Sequence, residues 1–132
     1  MTVRTASCQC WQPSIQTSRD PVRISVCHCL ACQRRSGSAF AVQARFDAAA
    51  VTFNGQSSSW TRFADSGAPT VHHFCPQCGS TVWYQSRPHS HLITIPVGAF
   101  ADPGFPAPAF SVYEARRHRW VAIVGDEIEH HD

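Results

Sequence analysis

A mainly β fold held in one domain is what this sequence predicts, and three observations carry that expectation. Apolar residues recur with a period of two in several short runs, as half-buried strands require. Only one short stretch has both the start and the stop of a helix. Seven cysteines sit in three tight clusters far apart in the chain, a pattern that crosslinks a small fold through bound metal.

Taken in chain order, the first element is the C-x-C pair Cys8-Gln9-Cys10, read as an extended segment that points both thiols to one side. Val22, Ile24 and Val26 alternate as a strand that ends at Cys27, and Phe40, Val42, Ala44 and Phe46 form a longer alternating set. Between them one short helix is predicted from Leu30, stopping at Gly37. Val51-Thr52-Phe53 runs into Asn54-Gly55, a pair suited to the positive φ of a tight turn, so a hairpin to Trp60–Phe63 is expected. Further strands are expected over 71–74, 81–84, 92–97 and 120–124, with Trp83, Trp120 and Phe110 as core aromatics. From Asp102 to Pro108 three prolines and a glycine break any regular element. This stretch reads as a surface loop within a single domain of residues 1–132, because the piece beyond it is too small to own a core.

Composition excludes several functional classes. Charged residues make up 15% and hydrophobic ones 43%, the balance of a folded globule and not of a disordered tail. All eleven basic residues are arginine, so Schiff-base or phosphate-loop chemistry that needs lysine has nothing to use. No apolar run approaches the roughly 18 residues that span a bilayer. The opening Met1-Thr2-Val3-Arg4 lacks the apolar core of a secretion signal, and a cytoplasmic location with no membrane partner is expected. In that compartment an odd number of closely spaced cysteines points to metal, not disulfides.

The seven thiols divide in one economical way. Cys75-Pro76-Gln77-Cys78-Gly79 is half of a zinc knuckle, and Cys8 with Cys10 supplies the other half of a closed structural site. Cys27, Cys29 and Cys32 then form a second site with three ligands, the number found where zinc keeps a position open for chemistry. Two zinc ions are therefore expected. With two dications added and seven thiolates counted as charged, the formal charge falls from +2 to −1, which argues against a nucleic-acid partner. The competing reading closes the second site with His72 or His73, since His28 would point away from its flanking cysteines. A redox dithiol at Cys29-Leu30-Ala31-Cys32 is weaker, because no βαβ pattern surrounds it.

The stretch Val26-Cys27-His28-Cys29-Leu30-Ala31-Cys32-Gln33-Arg34-Arg35-Ser36-Gly37-Ser38-Ala39-Phe40 resembles the signature of the glutathione-dependent formaldehyde-activating enzymes. Cys8-x-Cys10, Phe74-Cys75-Pro76-Gln77-Cys78-Gly79-Ser80 and Val97-Gly98-Ala99-Phe100-Ala101-Asp102-Pro103 match in order, so the resemblance covers most of the chain. It implies a zinc-binding β-tent of antiparallel sheets with one short helix after the C-x-C-x-x-C cluster. It also implies a carbon–sulfur lyase that reversibly joins formaldehyde and glutathione to S-hydroxymethylglutathione, with Cys27, Cys29 and Cys32 as the catalytic centre. Arg34 and Arg35, directly after the last of these thiols, are the candidate clamps for the two glutathione carboxylates; the plainer reading makes them solvated residues at a helix end. Two departures bear on substrate: Trp11 stands where glycine is usual, and Ser111 near a position often held by histidine. The alternative function is a non-catalytic zinc module that binds a thiol or a peptide, and a homodimer is compatible with either.

Overall fold

The computed structural model describes residues 2–87 and 89–132; Met1, which opens the stretch read against a secretion signal, and Pro88 lie outside them. The chain forms β1 (Arg4–Ser7), β2 (Ser14–Thr17), β3 (Arg23–Cys27), α1 (Leu30–Ser36), β4 (Ala41–Asp47) and β5 (Val51–Asn54). There follow β6 (Ser58–Phe63), β7 (Pro69–Phe74), β8 (Thr81–Ser86), β9 (Leu92–Pro96), β10 (Phe110–Val112) and β11 (Glu129–His130), with short 3₁₀ turns between. The mainly β expectation and the single helix after the cysteine cluster hold. No helix among the described residues is long and apolar enough to cross a membrane.

Two sheets result, one of three strands in the order β1-β2-β5 and one of eight in the order β11-β10-β3-β4-β9-β8-β7-β6. Pairing is antiparallel except at β10, which runs parallel to both β3 and β11. Register explains how the large sheet divides its residues between two faces. Ile24 pairs with Ala44, Ala44 with Ile95, and Phe46 with Ile93, so these apolar residues share one face. With Val82 they form the core against Ala6 and Ile15 of the small sheet. The opposite parity carries Arg23, Arg45, Thr94, Tyr84 and His72 in one transverse row across five strands.

Several expectations need correction. β5 and β6 are not a hairpin, because β5 pairs with β2 in the small sheet and β6 with β7 in the large one. Asn54-Gly55 does supply a turn, with Gly55 at φ +81°, but the turn carries the chain from one sheet to the other. A Cβ on Gly55 would lie 2.3 Å from the Gln12 carbonyl oxygen, so close approach of two backbones also demands glycine there. The stretch 120–124 is not a strand: Val121 is buried, but Trp120 is 76% exposed and outside the core. The last strands are β10 and β11, which are too short to show a period. Cys8 to Cys10 is a turn closed by a Trp11 N–H to Cys8 carbonyl bond, not an extended strand. Val22 falls outside β3, whose residues from Ile24 to Cys27 are buried on both faces. Trp83 packs against the core as expected, and half-buried Phe110 lies under the Arg23 guanidinium at 3.9 Å.

Candidate functional site

The Cys8–Cys10 turn and the Cys75–Cys78 knuckle meet where the two sheets approach each other. Gly79 at φ +79° closes the knuckle, donating its N–H to the Cys75 carbonyl. The backbone N–H groups of Gln77 and Cys78 point at the Cys75 sulfur, and that of Gln12 at the Cys8 sulfur. Cys8 and Cys10 sulfurs are 3.7 Å apart, and Cys10 and Cys75 sulfurs 3.5 Å. Metal–sulfur bonds of about 2.3 Å in a tetrahedron place sulfurs about 3.8 Å apart, so these four could hold one ion. The Ser80 hydroxyl beside Cys78, followed by backbone N–H groups, brings that thiol down to about 5, toward the thiolate a metal requires.

The second group forms where β3 ends. Cys27 is the last residue of that strand, Cys29 caps α1 by accepting the Cys32 N–H, and Cys32 lies in the helix's first turn. Their sulfurs all lie within 4.8 Å of one another and could hold a metal ion. Hydrogen bonding from Cys32 draws the Cys27 thiol down to about 6, with the Arg35 guanidinium adding to the effect. Cys32 is raised in turn, by that same bond and by burial. Among the described residues no fourth histidine, cysteine or carboxylate joins the three. His73, one candidate for closing the site, is stacked flat on Trp83 at 3.7 Å. His28 turns away: its ring is fully buried and Nε2 lies 2.9 Å from the Ser111 hydroxyl. Ser111 gives its proton to Glu114 at 2.6 Å, so His28 Nε2 is the donor in that chain.

Cys29 and Cys32 open into a cleft of about 590 Å³, within the size range of small-molecule sites. Arg35, Arg45, Arg62 and Arg116 line it. The ion pairs among the described residues are Arg4–Asp20, Arg19–Asp47 and His130–Glu114, so none of the four cleft arginines is ion-paired, and Asp65 is the one carboxylate among four guanidinium groups in the lining. Arg35 lies over the Tyr84 ring at 4.8 Å, and the Tyr84 hydroxyl donates to Gln43 Oε1 at 2.5 Å. Arg34, its neighbour on α1, is exposed and outside the cleft lining. Sequence reading found Arg35 and missed Arg45, Arg62, Arg116 and Tyr84; it singled out His72 as a possible fourth ligand, and His72 instead lines the cleft outside the three-thiol group. The parity of β4 was a usable signal, since Arg45 alternates with the core residues Ala44 and Phe46.

Trp11 is 74% exposed and has φ +69°, a left-handed backbone that favours glycine. That conformation accounts for the glycine expected at this position.

Comparison with known proteins agrees with the arrangement. A crystal structure of a Rhodobacter sphaeroides protein, a structural genomics target, superposes with a TM-score of 0.56 at 21% identity, over 72% of this chain and 85% of that one. At that identity the likeness speaks for the fold. No curated protein matches the chain. The profile of the family described as glutathione-dependent formaldehyde-activating enzyme matches residues 3–116, a span that includes both cysteine groups and every cleft arginine, and the chain belongs to that family.

Proposed function

We propose that the protein is a zinc-dependent carbon–sulfur lyase that reversibly joins a glutathione-like thiol to formaldehyde in the arginine-lined cleft. One observation carries the proposal: a cluster of three thiols, two of which, Cys29 and Cys32, open into a cavity lined by four arginines that form no ion pair. Unpaired guanidinium groups held in a cleft favour an anionic ligand, and glutathione brings two carboxylates to a thiol.

Cys8, Cys10, Cys75 and Cys78 fit a structural zinc with a filled shell, and Cys27, Cys29 and Cys32 fit a catalytic one with a free position. When bound at the three-cysteine group, zinc supplies a Lewis acid that favours the thiolate form of an incoming thiol. The chain's own residues do the positioning. Arg35, Arg45 and Arg62 take the carboxylates, and the Tyr84 ring, fixed by Gln43, holds Arg35 in place. Arg34 has no part in this clamp. In the reaction the thiol sulfur attacks the carbonyl carbon, a C–S bond forms, and the carbonyl π pair moves to oxygen. That oxygen takes up a proton equivalent to the one the thiol gave up, and the reverse reaction retraces these steps.

The test is exchange spectroscopy by NMR on glutathione, formaldehyde and their adduct at equilibrium. The zinc-loaded protein should raise the interconversion rate well above the spontaneous one, and Cys29→Ser should return it to background with an unchanged circular dichroism spectrum. Exchange no faster than background would overturn the enzyme; glutathione binding without acceleration would leave a thiol-binding module in its place.

A further inference from the structure

His72 lies in the cleft, on the same transverse row as Arg45, Thr94 and Tyr84. Its ring is held between Trp60 of β6, at 6.0 Å and 28°, and Tyr84 of β8, at 5.2 Å and 32°. Those contacts fix the plane of the imidazole and leave only its edges free to act. Nδ1 is buried and has no hydrogen-bond partner. Because His72 lines the cleft while Nδ1 is sealed, Nε2 is the nitrogen presented to a ligand.

The tautomer follows from the cost of the sealed side. A buried N–H without an acceptor carries its full desolvation penalty, and orphaned buried N–H groups are rarer than under-used acceptors. The proton of a neutral ring therefore belongs on Nε2. Burial first, then the positive charges of Arg35 and Arg62, hold the imidazole neutral, with its pKa down to about 4. A neutral ring here is a hydrogen-bond donor that does not add a further cation to an arginine-rich cleft.

We propose that His72 donates its Nε2–H to the aldehyde-derived oxygen, so that the cleft recognises a hydroxymethyl thioether and not only a thiol. This rests on the lyase function proposed above. As the C–S bond forms and the carbonyl π pair collects on oxygen, the Nε2–H bond shortens and stabilises the growing charge. The proton that finally rests on that oxygen balances the one lost by the thiol, and His72 is neutral before and after. A neutral imidazole donor aimed at a developing oxyanion stabilises the charge that collects there without adding a positive charge of its own.

The experiment uses zinc-loaded protein with ¹⁵N-labelled histidine and two ligands, S-methylglutathione and S-hydroxymethylglutathione made from glutathione and formaldehyde. Expected are an Nε2–H tautomer for His72 in the free protein and an Nε2 shift with the hydroxymethyl ligand that the methyl ligand does not produce. His72→Leu should lower the exchange rate about 100-fold with little change in KM for glutathione, and His72→Gln, which keeps an N–H donor, should recover part of it. An Nδ1–H tautomer, equal responses to the two ligands, or an unchanged rate in His72→Leu would overturn the role of His72. If both ligands bind and His72 is silent, that role alone falls. If neither binds, the glutathione site falls as well.

Discussion

At the scale of single residues, Arg34 and Arg35 show how neighbours in sequence part company in space. Arg35 turns into the cleft and stacks on Tyr84, while Arg34 stays in solvent. A charge-assisted hydrogen bond contributes about 1.5–3 kcal/mol, so Arg35→Met should raise KM for glutathione about tenfold or more. Arg34→Met should leave it unchanged, and steady-state kinetics on the two variants checks both. Trp11 offers the converse case, a residue that costs stability. A left-handed backbone at a non-glycine residue costs on the order of 1 kcal/mol, and an indole so exposed returns little burial. Trp11→Gly should therefore raise the free energy of unfolding by about 1 kcal/mol in urea titration.

At the scale of elements, the passage from β5 to β6 determines which sheet each strand joins. Gly55→Ala would set a methyl 2.3 Å from a backbone oxygen and strain a φ of +81°, so it should destabilise the fold by more than about 1 kcal/mol. Thermal unfolding should show the loss, whereas Gly37→Ala, at a helix end with open space around it, should cost less. The last strands are tied in by a polar chain. Burial raises the Glu114 carboxyl, but bonds from His130 and Ser111 outweigh it and hold its pKa below the usual carboxylate range. A depressed folded pKa gives stability that is present above the unfolded value and lost as pH falls through the folded one. Glu114→Gln should accordingly be less stable than the parent at neutral pH. The gap should close as the pH drops into the acid range, as denaturation curves at several pH values would show.

At the scale of the whole molecule, the proposed function assigns structural work to one cysteine group and chemical work to the other. Cys75 is buried between segments distant in sequence, whereas the Cys29 and Cys32 side of the second group faces a cleft. Graded chelation should release metal in two steps, the first ending activity with the circular dichroism unchanged and the second unfolding the chain. Metal release followed by a chromogenic chelator, with the spectrum recorded in parallel, separates them. Cys75→Ser should behave as the second step and Cys29→Ser as the first. Much of this was legible in the sequence, because the signals involved are local. A period of two in Ala44 and Phe46, a glycine after Cys78, and three thiols within six residues each report on geometry within a few residues. Local chemistry thus determined the mainly β class, the one helix, and the division of the thiols into a group of four and a group of three. Partner choice between strands was not local. Asn54-Gly55 encodes a turn but not the sheet that receives the next strand, which depends on β2 and β7 being free to pair. The cleft is longer-range still: Arg45, Arg62 and His72 come together because strand register lines up residues from different strands on one face, and α1 brings Arg35 over that face. Register is a property of the assembled sheet, and only the tertiary structure decided it.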